Sequence, residues 1–559
     1  MQNEYDVVIP GGGLAGLALS IQLKKENPEI KILVLERRES EASTAAHKVG
    51  ESTVELGSHY LREVLGLKDY LEMHELPKHG LRFFFPSSDK DDIPTRVELG
   101  PRERLPQPSH QLDRGTLENH MAKKTQDLGT TFILGATVKD IAVSASGHEV
   151  MYVKDGTENK VKCKWVADAT GRGSFMKRKY QFQKPMEHHV NAVWWRLKGV
   201  IDIDDWSDNE EWRSYLKPGL RLLSTVHFMD KGYWLWVIPL GSKNTSIGIV
   251  ADPAVHPFET FNKYDKAMEW LKVNEPRGYK MLSAETDNLL DFKILKHYAH
   301  HTGRVYCAPE RWGVTGEAGA FLDPLYSPGT DFIAMNNSWL SDLILKDLKG
   351  EDISGLAEVY EQSHLSWVDN WIPVYQDKYL LMGNAQIMVM KIFWDWATYW
   401  SIPTLIFTNK GFTNLKVLKE LFSANGLGRK FGALNKQMQD LFLEWLPYQH
   451  EAFENRYIDP YDLSYMRDFQ LGIDVKYETE ALIEKVAANL KTLEQVASAM
   501  FRLISAQVNG TPANMKVDPY RVRLKKLPDP VELEIDDNID PVITKDVDLM
   551  WFYAKKEIA

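Results

Sequence analysis

The stretch Val7-Val8-Ile9-Pro10-Gly11-Gly12-Gly13-Leu14-Ala15-Gly16 decides how the amino-terminal part of this chain folds. Its first three residues form a continuous apolar, β-branched run, as a strand buried on both faces requires. Beyond the glycines, Leu14, Leu17 and Ile21 recur three and four apart, on one face of a helix. In such a strand–turn–helix, Gly11 permits the tight turn, Gly13 lets a pyrophosphate approach the backbone, and Gly16 lets helix pack on strand. Phosphate charge would then meet the free N–H groups around Gly13 and Ala15 at the positive helix end. A second apolar run, Ile32 to Leu35, leads to Glu36 and Arg37, with Glu36 twenty residues after Gly16. A carboxylate there accepts ribose hydroxyls and repels a 2′-phosphate. Glycines alone are a weak signal. Strand, glycines, helix, strand and acid in register predict a dinucleotide-binding, Rossmann-like α/β domain.

The chain has 559 residues, more than one hydrophobic core usually organises, so two or three packed units are expected. Its net charge of −11 is spread without long single-sign blocks and argues against a nucleic-acid partner. Cys163 and Cys307 lie in separate apolar runs without a C-x-x-C or His-rich ligand pattern. Neither a disulfide nor a metal site is expected, and a cytoplasmic location fits. The first strand run begins at Tyr5, which leaves no room for a basic and apolar leader. Tyr379 to Phe407 is strongly apolar and aromatic, but Gly383, Asn384, Gln386, Lys391, Asp395 and Pro403 interrupt it. It predicts buried or substrate-lining helix rather than an integral membrane segment.

Three further segments narrow the dinucleotide to FAD. Trp165-Val166-Ala167-Asp168-Ala169-Thr170-Gly171 resembles the D-x-T-G segment of FAD enzymes of the aromatic hydroxylase type. Gly313-Val314-Thr315-Gly316-Glu317-Ala318-Gly319 resembles their G-D segment, with Glu317 in place of Asp; the resemblance implies a contact to a ribityl hydroxyl. Asp113-Arg114-Gly115-Thr116-Leu117 resembles the helix start whose arginine meets the pyrophosphate. No second Gly-rich fingerprint with its own nucleotide domain appears. Reduced FAD is therefore expected from a separate flavin reductase.

Four more motifs follow in order: Lys48-Val49-Gly50-Glu51-Ser52-Thr53, Lys78-His79-Gly80-Leu81-Arg82-Phe83, Trp234-Leu235-Trp236-Val237-Ile238-Pro239, and Phe321-Leu322-Asp323-Pro324-Leu325-Tyr326-Ser327-Pro328-Gly329. Read alone, Trp234 and Trp236 are two indoles on one face of a strand, a common core pattern, and a single lysine is usually a surface charge. Together, over roughly the first 345 residues, the motifs resemble those of flavin-dependent halogenases. The resemblance implies that reduced FAD, oxygen and a halide yield hypohalous acid, which travels to a lysine beside an aromatic substrate. Lys78, just ahead of a strand run from Leu81 to Phe85, matches the catalytic lysine, with Lys48 as competitor. Val49 would lie against the flavin. Trp234 and Trp236, closed off by Pro239, would separate flavin from substrate. Glu51, Ser52, Phe321, Pro324, Tyr326 and Ser327 would line the substrate side or tunnel.

Two departures matter. Tyr326 stands where tryptophan halogenases carry a glutamate, which points away from free tryptophan towards phenol- or pyrrole-like acceptors, possible carrier-protein cargo included. Pro328 stands where relatives offer the halide a backbone N–H, which proline lacks. The N–H groups of Gly329 and Thr330, before a helix-like run from Asp331 to Leu345, form the alternative anion site. Direct hydroxylation by a flavin monooxygenase is thus the rival reading, and a flavin-binding protein without turnover a third.

The expected organisation is a discontinuous FAD-binding domain (1–185 and 300–345), an inserted β-rich substrate-side domain (186–299), and a mostly helical region (346–559). The last would cover the substrate mouth. Its crowded aromatics, Trp394, Trp396, Tyr399 and Trp400, read more readily as core than as pocket. The tail around Glu532 to Asp537 reads as acidic and exposed.

Overall fold

The computed structural model describes residues 4–43, 50–103, 107–449, 453–512, 515–524 and 539–554. Lys48, Val49 and the acidic segment at 532–537 lie outside them. Strand Glu4–Pro10 is the centre of the first sheet, parallel to Ile32–Leu35 on one side and to Thr157–Asp168 on the other. Thr131–Ile133 and Trp312–Val314 extend the parallel array outward. Helix Leu14–Glu26 is buried along most of its length, between this sheet and helices Arg114–Asp127 and Gly329–Leu348. That burial on all sides explains why its sequence shows so little polar face.

The second sheet has eight strands, in the order Leu289–Leu295, Asn191–Lys198, Asn244–Ala251, Tyr233–Pro239, Thr225–Asp230, Leu81–Phe84, Val97–Leu99, Arg456–Ile458. It also takes strands from outside the 186–299 segment. Two strands come from the amino-terminal part and one from the carboxy-terminal region, because backbone N–H and C=O groups at a sheet edge pair with whichever strand packs there. On Tyr233–Pro239 the side chains alternate. Tyr233, Leu235 and Val237 enter an outer core, whereas Trp234, Trp236 and Ile238 join the main core, which also holds the first sheet.

Residues 346 onward are mostly helical, as expected. Helix Ala385–Tyr399 continues through Trp400–Thr404 into Leu405–Thr408, nearly all buried. No helix among the described residues is long and apolar enough to cross a membrane. The main apolar cluster runs without a break from Tyr5 to Met550, so the helical region shares its core with the first sheet and its helices.

Candidate active site

The glycine turn is built as the sequence requires. Gly11 has φ 108°, and a Cβ on it would lie 2.1 Å from the carbonyl oxygen of Ala169. A Cβ on Gly16 would lie 2.1 Å from the Gly11 carbonyl, so only glycine allows this approach of helix to strand. Gly13 caps the helix, and with Leu14 and Ala15 it lines a cavity of about 570 Å³. The same wall carries Glu36, Arg37, Arg114, Gly171 and Glu317. Glu36 also accepts hydrogen bonds from the N–H of Gly12 (2.7 Å) and of Arg38 (2.9 Å), which orient it along the cavity. Arg114 opens helix Arg114–Asp127, capped by Asp113 through the N–H of Gly115 and Thr116 (3.0 and 3.3 Å). Burial pulls its guanidinium down to about 10, with Glu317 and Glu51 opposing the shift. A cationic group so desolvated at the mouth of a helix N-terminus suits a pyrophosphate.

Asp168 is fully buried. It lies outside the cavity wall and accepts from Thr170 N (2.9 Å), Thr170 Oγ1 (2.6 Å) and Met176 N (2.7 Å), which shapes the turn that presents Ala169, Thr170 and Gly171. It is a positioning group. Gly16 acts likewise through packing, and Pro239 lines neither cavity.

The large cavity is also lined by Trp194, Trp234 and Trp236, together with Glu51, Ser52, Phe321, Pro324, Ser327, Gly329 and Thr330. The Trp234 and Trp236 rings sit 5.5 Å apart. Trp236 lies over Gly248, where a Cβ would come within 2.2 Å of the indole. The Trp234 N–H donates to Tyr379 (3.0 Å), which donates to buried Asp323 (2.7 Å). Glu51 is held by Arg196, whose other nitrogen holds Asp291 (2.7 Å each).

Lys78 lies on its own short strand Leu76–Lys78 paired with Ser109–Gln111, rather than on the strand that follows. It lines a second, smaller cavity with Glu55, Tyr326, Asp331, Asp395, Trp396, Tyr399 and Trp400. Its Nζ donates to the carbonyl of Thr53 (2.7 Å). Burial lowers the amine to about 7, with Glu55 and Asp331 opposing, and burial raises Asp331 to about 8. Pro328 lines both cavities; Ser327, Gly329 and Thr330 line the large one, Tyr326 and Asp331 the small one. The aromatic crowd at 394–400 is therefore divided: Trp394 is core, while Trp396, Tyr399 and Trp400 form cavity wall. Asp395, Asp331 and Glu55 were not legible as site residues. Asp395, one of two charges in an otherwise apolar helix, carried the one available signal.

Helix Gly329–Leu348 starts two residues earlier than its apolar run suggests. The Ser327 N–H is turned back to the carbonyl of Pro324 (3.0 Å), and Pro328 has no N–H, so the next backbone donors in the chain belong to Gly329 and Thr330, both of which line the large cavity.

A glycine cradle, two acidic residues and a buried arginine thus share one large cavity, as a dinucleotide site requires; the comparisons with known proteins make this an FAD-dependent oxidoreductase. The profile of a family described as an FAD binding domain matches residues 4–246. The flavin-dependent halogenase chlA of Dictyostelium discoideum is 27% identical over 433 residues, covering 72% of this chain and 70% of that protein. A 1H-pyrrole-2-carbonyl-[peptidyl-carrier protein] brominase of Pseudoalteromonas luteoviolacea is 24% identical over 359 residues, 63% of this chain and 79% of that one. The crystal structure of halogenase PltM in complex with phloroglucinol and FAD superposes with a TM-score of 0.60 at 15% identity, covering 87% of this chain and 96% of that one. The chain is thus similar, in sequence and in fold, to flavin-dependent halogenases.

Proposed function

We propose that this enzyme uses reduced FAD, oxygen and a halide to halogenate an electron-rich aromatic through Lys78, with phenol- or pyrrole-like acceptors favoured over free tryptophan. The observation that carries the reading is a buried lysine in an aromatic-lined cavity that shares the 326–331 wall with the flavin cavity. Reduced FAD with oxygen supplies the oxidising equivalent that converts halide to hypohalous acid. Gly13, Ala15 and Arg114 would hold its pyrophosphate, Glu36 and Glu317 its hydroxyls. The Gly329 and Thr330 N–H groups would hold the halide at the helix N-terminus. Trp234 and Trp236 keep the acceptor and bulk water from the flavin. An amine with its affinity for protons reduced by burial can hydrogen-bond hypohalous acid or take its halogen as a haloamine. The pyrrole-processing relatives act on carrier-bound substrates, which supports an acceptor of that kind, free or carrier-bound. The flavin would arrive reduced from a separate reductase, and two buried free thiols support a reducing cytoplasm.

Pro328 favours a second reading, direct hydroxylation, because it removes one backbone donor from the halide's place. Mass spectrometry of products formed under ¹⁸O₂, with and without bromide, separates the two. Halogenation predicts no organic product without halide and saturation as halide rises. Labelled hydroxylated product in halide-free buffer would establish the monooxygenase.

A further inference from the structure

Tyr326 and Ser327 are consecutive non-glycine residues in the left-handed region, at φ 69° and 60°. Such a conformation is strained and persists only where its surroundings fix it. The fixing contact for Tyr326 comes from a helix 69 positions away: its hydroxyl donates to Asp395 Oδ2 at 2.9 Å. Asp395 is 6% exposed and faces the Lys78 cavity. The same oxygen receives Lys391 Nζ at 2.5 Å, and Oδ1 receives Gln439 Nε2 at 2.7 Å. Lys391 also lies 5.9 Å from the centre of the Tyr326 ring. The carboxylate is thus charge-balanced and oriented, and it can only accept. With its own proton committed to Asp395, the Tyr326 oxygen offers its lone pairs to an incoming donor.

We propose that Tyr326 and Asp395 form a relay that recognises the ring O–H or N–H of the acceptor and takes up its proton as the ring is halogenated. This rests on the halogenase reading above and names the residues that set its acceptor class. A phenol would donate to Tyr326 Oη while Tyr326 donates to Asp395. As the ring carbon takes the halogen of hypohalous acid, the C–halogen bond forms, the halogen–oxygen bond breaks and hydroxide leaves. The phenol proton moves to Tyr326 as the proton of Tyr326 moves to Asp395, so no cationic ring is left in an apolar cavity. Hydroxide then removes the ring C–H proton as water, and the relay returns its proton to the acceptor oxygen. The balance is ring C–H plus hypohalous acid giving ring C–halogen plus water. An aromatic ether of the same shape cannot donate and would leave the ring charge uncompensated.

The test is binding of resorcinol and of 1,3-dimethoxybenzene to the FAD-loaded protein by calorimetry, without turnover. Wild type should bind resorcinol at least about tenfold more tightly than the diether. Tyr326→Phe, with FAD occupancy as the control for folding, should bring the two within about twofold. Should that variant lose FAD, Asp395→Asn is read in the same way. Equal affinities in wild type, no binding of resorcinol, or discrimination that survives the substitution would each overturn the relay. If discrimination behaves as expected but no halogenated product forms with bromide, the halogenase reading fails and the recognition relay stands.

Discussion

At the scale of single residues, the lysine is the group whose chemistry depends most on its surroundings. An exposed ammonium with the ordinary value of 10.5 is too strongly protonated and hydrated to accept halogen; burial brings Lys78 to about 7. Lys78→Ala should lower organic halogenation by about 10²-fold or more while reduced flavin is still oxidised, read as product formed per flavin oxidised. The sign of the pH dependence follows from the cause of the shift. Burial disfavours the charged form, so the neutral amine appears as pH rises through about 7, and halogenated product per flavin should rise over the same interval. A yield that falls through that interval would assign the work to the ammonium, as a hydrogen-bond donor to hypohalous acid.

At the scale of elements, strand pairing sets both the tryptophan wall and the frame behind Lys78. Trp236 stays flat because Gly248 on the neighbouring strand has no side chain. Gly248→Ala should displace the indole and raise the fraction of flavin oxidised without halogenated product, measured as peroxide released per turnover. The frame depends on Glu98, buried in strand Val97–Leu99, which pairs with Arg82 at 2.6 Å and Arg221 at 2.9 Å. Glu98→Ala would leave two buried guanidinium groups short of their counter-charge. It should cost about 3–5 kcal/mol in denaturant unfolding, because desolvated charges lose their solvation without replacement.

At the scale of the whole molecule, the helical region is part of the flavin domain's core rather than an appendage. Apolar contact is continuous from Tyr5 to Met550, and strand Arg456–Ile458 completes the second sheet. Units that share a core lose it together. Calorimetry should therefore show the flavin domain and the helical region unfolding in one transition, and excess FAD should raise its midpoint. A low-temperature transition that leaves FAD bound would show the helical region to be independent. The shared core also explains the composition of the small cavity. Lys78 comes from the first hundred residues, while Tyr326, Asp395, Trp396 and Tyr399 come from segments more than two hundred positions later.

The sequence by itself determined the local parts: the glycine turn, the acid after the second strand, the arginine-bearing helix start and the alternation on the tryptophan strand. Each depends on spacing within one or two elements, where periodicity and backbone freedom act directly. The family motifs also marked Lys78 and Tyr326, but they carried no information on what surrounds them. Only the tertiary structure decided that Asp168 shapes a turn rather than lining the cavity, and that the second sheet borrows strands from both ends of the chain. It also decided that the apolar helix at 385–399 turns Asp395 and Trp396 into the Lys78 cavity. In sequence, an aromatic residue facing a cavity and one facing the core have the same hydropathy and the same helical spacing. What distinguishes them is the neighbour across the contact, and that neighbour is chosen by packing between segments far apart in the chain.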